Sequence, residues 1–305
     1  MKKFWALLSI ILCITSCEDF AILEKDGEAI VFSQNIVTSP TYNGNLRAAT
    51  FNMKLGFCQQ CDPFSGDLGG DHEHLDKIVT LINDMNLDII TLQEVGYKYD
   101  TSIVENQLQY IADRVQMNYA YGMGRALQTG NNLFLRGFIG NAVLSKYEIV
   151  STENHPIRYI DYYNQNHALK TTIKLSDQQE IIVVSTHFES GSTSDEKIIQ
   201  FNELIAVTKN ETPPVIIGAD FNIPYTENNS FLSALTTDFS NSLEAIPTSQ
   251  QSSILNTGTF ITGATLDYIY TSKNDFTIET AFLVPEIYRN ISDHFMYILE
   301  IQIVN

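Results

Sequence analysis

Asp220 and Asn222 close the aliphatic run "VIIGADFN", a carboxylate and a carboxamide one residue apart at the end of what reads as a buried strand. Other apolar runs meet polar residues in the same way. "ATFN" ends at Asn52, "IITLQE" at Glu94 and "VVSTH" at His187, while "TLD" opens a strand on Asp267 and "SDH" sets Asp293 and His294 before the last one. Carboxylates are donors that hard divalent cations take, and carboxylates and imidazoles are groups that move protons near neutral pH. A single carboxylate after an apolar run is ordinarily a turn or helix cap. A set of them at the mouths of strands that share a sheet reads as a site.

Such residues need a sheet to bring them together. The runs "LRAATFNM", "DIITLQEV", "NAVLS", "ALKTTIKL", "EIIVVSTHF", "PVIIGADFN", "TLDYIYTS" and "HFMYILEIQI" read as strands. Between some of them lie "HEHLDKIVTLINDM", "IVENQLQYIADRV" and "SDEKIIQFNELIAVT", whose apolar residues are spaced by three and four, as on helices. Helices alternate with strands early and strands dominate later, which predicts a mixed sheet system in one domain. The stretch 226–263, rich in Ser, Thr and Asn, reads as a helix near "FLSAL" and a long loop. With 305 residues, 44% of them hydrophobic, the chain has enough apolar material for a large α/β domain.

In the order Asn52, "LQE", "TH", "GADFN", "LDYI" and "SDH" the chain resembles the endonuclease/exonuclease/phosphatase superfamily. That superfamily includes pancreatic-type deoxyribonucleases, abasic-site endonucleases, neutral sphingomyelinases and inositol polyphosphate 5-phosphatases. The resemblance spans roughly residues 46 to 304, and "GNAVLSKYEI" is similar to the family's "GNAILS" strand, which adds Asn141 as a substrate contact. It implies an α/β fold, a four-layer α/β sandwich of two packed mixed β-sheets flanked by helices, over a domain of residues 45–305. It also implies a metal-dependent hydrolase of phosphodiesterase, phosphatase or nuclease type.

Carried over residue by residue, the resemblance makes Asp220 the group that orients or deprotonates the attacking water and Asn222 the one that holds the water or phosphate. Alternation along the strand would put both on one side. Glu94 would bind a divalent cation, Mg²⁺ before Mn²⁺ or Ca²⁺, because its oxygens suit a hard ion. Asn52 would order the metal region, and Asp293 would be a metal-side or histidine-orienting acid. His294 would meet the phosphate as a cation supported by Asp267. His187 would be a second phosphate contact or a proton donor to the leaving group.

The pattern departs from the family at one place. Many members carry a metal-binding acid two residues after the strand-end asparagine, where this chain has Lys54. A lysine there repels a second cation, so the expectation is a single metal or a metal shell completed by other residues, and Lys54 becomes a substrate-contact candidate with Asn141. Arg125, Arg136 and Arg158 are further basic groups that could recognise a substrate anion. The segment from Cys61 to Asp76 is rich in His and carboxylates, but Asp71 as an N-cap with acids in the first helical turn explains it better than a metal site.

The N-terminus reads as a processing signal. Lys2 and Lys3 precede the apolar "FWALLSIILCIT", too short to span a bilayer comfortably, and "ITSC" resembles the bacterial lipobox. That resemblance implies a signal peptide at 1–16, lipidation of Cys17, a tether over 17–44, and a domain held on a membrane of the bacterial cell envelope, outside the cytoplasm. Removing residues 1–16 takes away two lysines and no acid, so the net charge moves from −18 to −20. Such acidity argues against a broad basic surface for duplex DNA. In an exported protein Cys58 and Cys61 of "FCQQC" read as a local disulfide; zinc would need two further ligands.

The expected substrate is a phosphate ester belonging to a nucleic acid, a phospholipid or an inositol phosphate, and no protein partner is implied. Two alternatives stand beside this reading: an extracellular endonuclease of deoxyribonuclease type, and a non-catalytic binding lipoprotein on the same fold.

Overall fold

A computed structural model describes residues 31–61, 69–99, 102–128, 135–159, 165–191, 193–225 and 234–304. The signal segment 1–16, Cys17 and the helix expected at "FLSAL" fall wholly or largely outside the described residues, as do the side chains of Arg125, Arg136 and Arg158. No described helix is long and apolar enough to cross a membrane.

The chain forms thirteen described strands: β1 (Val31–Gln34), β2 (Asn45–Asn52), β3 (Ile89–Tyr97), β4 (Asn118–Gln128), β5 (Leu135–Ser145), β6 (Glu148–Tyr159), β7 (Gln165–Ser176), β8 (Gln179–His187), β9 (Val215–Asp220), β10 (Phe239–Asn241), β11 (Asp267–Ser272), β12 (Phe276–Leu283) and β13 (Tyr297–Ile303). Five described α-helices accompany them: α1 (His72–Asp84), α2 (Gln107–Val115), α3 (Ser194–Thr208), α4 (Ser242–Ala245) and α5 (Thr248–Thr257). One sheet runs β1-β4-β5-β3-β2-β13-β12 and the other β10-β11-β9-β8-β7-β6. Each is mixed, with one parallel pair, β2 with β3 in the first and β8 with β9 in the second.

Three apolar clusters define four layers. Leu75, Ile78 and Leu81 of α1 and Leu108 and Ile111 of α2 pack with Phe51, Ile90 and Leu92 on the outer face of the first sheet. Leu46, Ile89 and Leu299 of that sheet meet Leu169, Val183, Ile216 and Ile269 of the other in the central layer. Phe201 and Leu204 of α3 cover Ile182, Val184, Ile217 and Ala219 outside the second sheet. The expected sandwich of two packed mixed sheets flanked by helices is therefore the observed one.

Two expectations are corrected. The sheet begins inside the stretch read as tether: β1 pairs with β4, and Phe32 rests on the rings of Tyr97, Tyr119 and Tyr121. A short strand carrying one large apolar residue leaves no periodicity to detect. The stretch read as a long loop also holds β10, α4 and α5. In α5, "TSQQSSILNT", Ile254 is the buried residue, so the helix has almost no apolar stripe.

The two sheets approach closely at Gly218. A Cβ built there would lie 2.0 Å from Thr91 Oγ1 across the layer. Gly218→Ala should therefore lower stability by about 1–3 kcal/mol, the usual cost of overpacking, as read from urea unfolding.

Candidate active site

Parity along the strands selects the site. Leu46 of β2 lies in the central layer, and Ala49 and Phe51 lie in the outer one, so alternation turns Asn52 inward. The same rule turns His187 inward after Val183, Asp220 inward after Ile216, and Asp267 inward with Ile269. The parallel pairs β2/β3 and β8/β9 run out at their C-terminal ends, and the antiparallel neighbours β13 and β11 begin there, Tyr297 opposite Thr50 and Asp267 opposite Asp220. Six chain segments therefore deliver their terminal polar groups to one edge of the sandwich.

Glu94 and Asn222 reach that edge by other means. Strict alternation would send Glu94 outward with Leu92. The β3–β5 register shifts between Leu92 and Val95, and Glu94 takes a left-handed φ of 50°, which turns its carboxylate back to the site. Asn222 lies beyond the end of β9 with φ 51°, and its N–H donates to Asp220 Oδ1 at 2.8 Å. A side-chain-closed turn, rather than strand alternation, aims the pair. Lys197 Nζ holds the Asn222 carbonyl at 3.0 Å, and Asn222 Nδ2 donates to the Phe188 carbonyl at 2.8 Å and lies 3.0 Å from His187 Nε2.

Asn52 is the hub. Its Oδ1 accepts the Lys54 N–H at 3.0 Å, which fixes the amide so that Nδ2 donates to Glu94 Oε1 and to Asp220 Oδ2, each at 3.0 Å. It orients the Glu94 carboxylate and turns a nitrogen, not an oxygen, toward it. Beneath this layer Gln93 spans the sheets, its Nε2 donating to Ser185 Oγ at 3.2 Å, while Ser185 Oγ donates to the Leu92 carbonyl at 2.9 Å.

Charge is concentrated on Asp220 and His294. Asp220 is fully buried, and burial raises its carboxyl above the ordinary carboxylate range, although His294 pulls the other way. Burial alone would lower the His294 imidazole. The carboxylates of Asp267 and Asp220 outweigh it, and the ring is pushed up to about 10. Its Nδ1 lies 2.9 Å from Asp267 Oδ2 and its Nε2 3.6 Å from Asp220 Oδ2. His187 Nε2 is 3.4 Å from the same Asp220 oxygen and 3.9 Å from Glu94 Oε1. Ser292 completes the frame: its Oγ donates to the Asn52 carbonyl at 2.9 Å and accepts the His294 N–H at 3.2 Å.

Asp220, Asp267 and His294 stand close enough to surround an ion, within 4.8 Å of one another. A ring held as a cation by two acids is a poor ligand, so this trio is a charge-bearing unit. Glu94 fits a hard cation better, as a partly exposed carboxylate at the cleft with an amide donor fixing one oxygen. Asp293 Oδ2 lies 3.2 Å from Lys54 Nζ, which places that acid in an ion pair.

Glu94, His187, Asp220, Asn222, Asp293 and His294 line a cleft of about 350 Å³. Asn141 lines it too, with Nδ2 donating to the His167 carbonyl at 2.8 Å. Asn166, His167, Glu189 and Phe260 also line it without having been singled out from the sequence; no apolar run ends at them in a pattern that would mark them. Gln93 and Ser292 stood inside the motifs "LQE" and "SDH" and needed the structure to show their contacts. A cavity of about 420 Å³ lies at the other ends of the strands, where Arg47 pairs with Glu300 and Lys146 with Asp88, so both of its cations are already engaged.

The profile described as the Endonuclease/Exonuclease/phosphatase family matches residues 49–294. No curated protein matches the sequence. Among solved structures, the fold is similar to an endonuclease/exonuclease/phosphatase from Beutenbergia cavernae, with TM-score 0.70 and 15% identity over 86% of this chain and 72% of that one. It is similar to the catalytic domain of human Nocturnin with bound sulfate, with TM-score 0.64 and 18% identity over 92% of this chain and 99% of that one. It is similar also to a mannosyl-6-phosphatase from Bacteroides thetaiotaomicron, with TM-score 0.60 and 17% identity over 85% of this chain and 100% of that one.

Because the folded His294 is raised from 6.5 to about 10, its contribution to stability is complete below pH 6.5 and is lost as pH climbs through about 10. NMR of the imidazole nitrogens should show the cation through neutral pH, with a midpoint near 10. Asp267→Asn should lower that midpoint by roughly 1–3 pH units. An unmoved midpoint would remove Asp267 as the source of the charge.

Proposed function

The chain belongs to the endonuclease/exonuclease/phosphatase family, and from that premise we propose that it is a divalent-cation-dependent phosphoester hydrolase of the bacterial cell envelope, anchored by a lipid on Cys17. The observation that carries the catalytic reading is the environment of Asp220. A fully buried carboxylate accepts from the Asn222 N–H and from Asn52 Nδ2, with an imidazolium 3.6 Å from one of its oxygens. Donors and a counter-charge would stabilise any buried acid; this one also lines the cleft, where a base poised beside a phosphate has to stand.

In this mechanism Asp220 takes a proton from water as the water oxygen bonds to phosphorus, and burial makes that carboxylate a stronger base than an exposed one. His294 places positive charge against the non-bridging oxygens, where negative charge has to be held through the transition state. Asp267 keeps the ring charged and oriented. Asn222 positions the water or the phosphate. The bond to the leaving oxygen breaks, and His187, facing the cleft, is placed to supply the proton that oxygen needs. A divalent cation on Glu94, Mg²⁺ by the hardness of its oxygens, would add charge neutralisation at the phosphate.

The net charge of −18 favours a small phosphorylated molecule or a lipid head group over duplex DNA. A fold neighbour named for phosphatase action on mannosyl 6-phosphate is compatible with that preference. His187 supports the second reading, a diester-cleaving endonuclease.

Purified protein in detergent should hydrolyse bis(p-nitrophenyl) phosphate with Mg²⁺ and lose the activity in EDTA. Asp220→Ala should reduce the rate about 10²–10⁴-fold, the usual contribution of a general base. Nicking of supercoiled plasmid that needs both Mg²⁺ and Asp220 would make the nuclease reading the stronger one. Full hydrolysis by Asp220→Ala would remove Asp220 as the base, and a folded wild-type protein that hydrolyses no phosphoester would return the binding lipoprotein.

A further inference from the structure

The Cys58–Cys61 disulfide closes a loop whose Gln59 reaches two segments of the site. Between the two cysteines, the Gln59 carbonyl accepts Lys54 Nζ at 3.0 Å, and Gln59 Nε2 donates to the Arg289 carbonyl at 3.3 Å. The Gln59 N–H lies 3.5 Å from the Asn290 carbonyl. Arg289 and Asn290 lead directly into Ser292, Asp293 and His294. The loop is thus a bracket between the segment that follows Asn52 and the segment that delivers His294.

Lys54 sits where the bracket meets the site. Its N–H fixes Asn52, and its ammonium, on a side chain 16% exposed, lies 3.2 Å from Asp293 Oδ2. Lys54 and Leu55 both have left-handed backbones, with φ 48° and 55°, a conformation neither residue favours. Hydrogen bonds around them impose it: Phe57 N–H to the Lys54 carbonyl at 2.9 Å, and Gln107 Nε2 to the Leu55 carbonyl at 2.6 Å. This path buries Leu55 against Phe57, Tyr99 and Ile139 and at the same time delivers the Lys54 ammonium to Asp293. Asp293 lines the cleft beside His294. Left unpaired, its carboxylate would compete for the cation and repel the phosphate of an incoming substrate.

We propose that Lys54 is a positioning residue, and that the Cys58–Cys61 disulfide holds its ammonium on Asp293 so that Asp293 neither takes up a second cation nor repels the substrate phosphate. This rests on the hydrolase reading of the same site. It makes the disulfide a tuning element of the site, since both cysteines are partly exposed and a reductant can reach them.

The test is a cycle of Lys54→Met, the pair Cys58→Ser and Cys61→Ser, and all three together, in the full chain. Mn²⁺ binding is followed by calorimetry, and KM and kcat are measured on bis(p-nitrophenyl) phosphate with Mg²⁺. Lys54→Met should bind Mn²⁺ about tenfold more tightly or take up a second ion, and should raise KM about tenfold with kcat changed less. Lys54→Arg should restore both. The cysteine pair should move both quantities the same way, and adding it to Lys54→Met should change them no further. Unchanged Mn²⁺ affinity and KM in Lys54→Met would overturn the proposal, as would a cysteine effect that adds in full to the lysine effect. If the wild-type chain cleaves no phosphoester, the hydrolase reading fails, while the Mn²⁺ measurements still decide whether Lys54 keeps Asp293 from the cation.

Discussion

One carboxamide joins the two sheets at the edge where the chemistry is placed. Asn52 ends a strand of the first sheet, and its Nδ2 is shared between Glu94 of that sheet and Asp220 of the other. Sheets packed by apolar side chains can slide by small amounts without large loss, because dispersion and burial are not directional. A shared amide cannot, since hydrogen bonds weaken steeply with misalignment. Asn52, with Gln93 one layer below, therefore converts a soft sheet-on-sheet contact into a fixed distance between the cation-binding carboxylate and the base. The Lys54 N–H on Oδ1 removes the remaining freedom to flip the amide.

The electrostatics follow from that fixed geometry. A buried Asp220 carboxylate is costly by itself, and the cost is offset locally by donors from Asn52 and Asn222 and by the His294 cation. His294 needs its own counter-charge to stay protonated so deep in the protein, and Asp267, paired in register with Asp220 across β9 and β11, supplies it. The acids of neighbouring strands thus do different work because their surroundings differ: Asp220 faces the cleft, and Asp267 faces the imidazole. Away from the site the chain is strongly acidic, so the positive charge offered to a phosphate has to be local.

At the site, irregular backbone appears where regular backbone would misaim a side chain. Glu94, Asn222 and Lys54 all have positive φ, and all three sit at the site. Left-handed non-glycine residues carry a conformational cost that the surroundings must hold in place. Here a bulge, a side-chain-closed turn and a hydrogen-bonded loop do the holding.

The sequence by itself determined most of the strands and the polar residues that close them. Short aliphatic runs such as "VIIGAD", bounded by turn residues and closed by a polar group, read as buried strands, and the polar residue closing each run stands at the strand's mouth; which face it takes came from the layers. Asn52, His187, Asp220 and Asp267 were legible for that reason. Strands with weak patterns were not: β4 and β6 carry Gly, Pro and polar residues, and β1 is four residues long, so tertiary pairing rather than local preference makes them strands. Only the tertiary structure decided which way Glu94 and Asn222 point, because each depends on a backbone that breaks the alternation from which the others were read. It alone showed Lys54 engaged with Asp293 and the CQQC loop spanning two segments of the site. Contacts between residues more than two hundred positions apart leave no trace in local spacing; they exist once the sheets have closed.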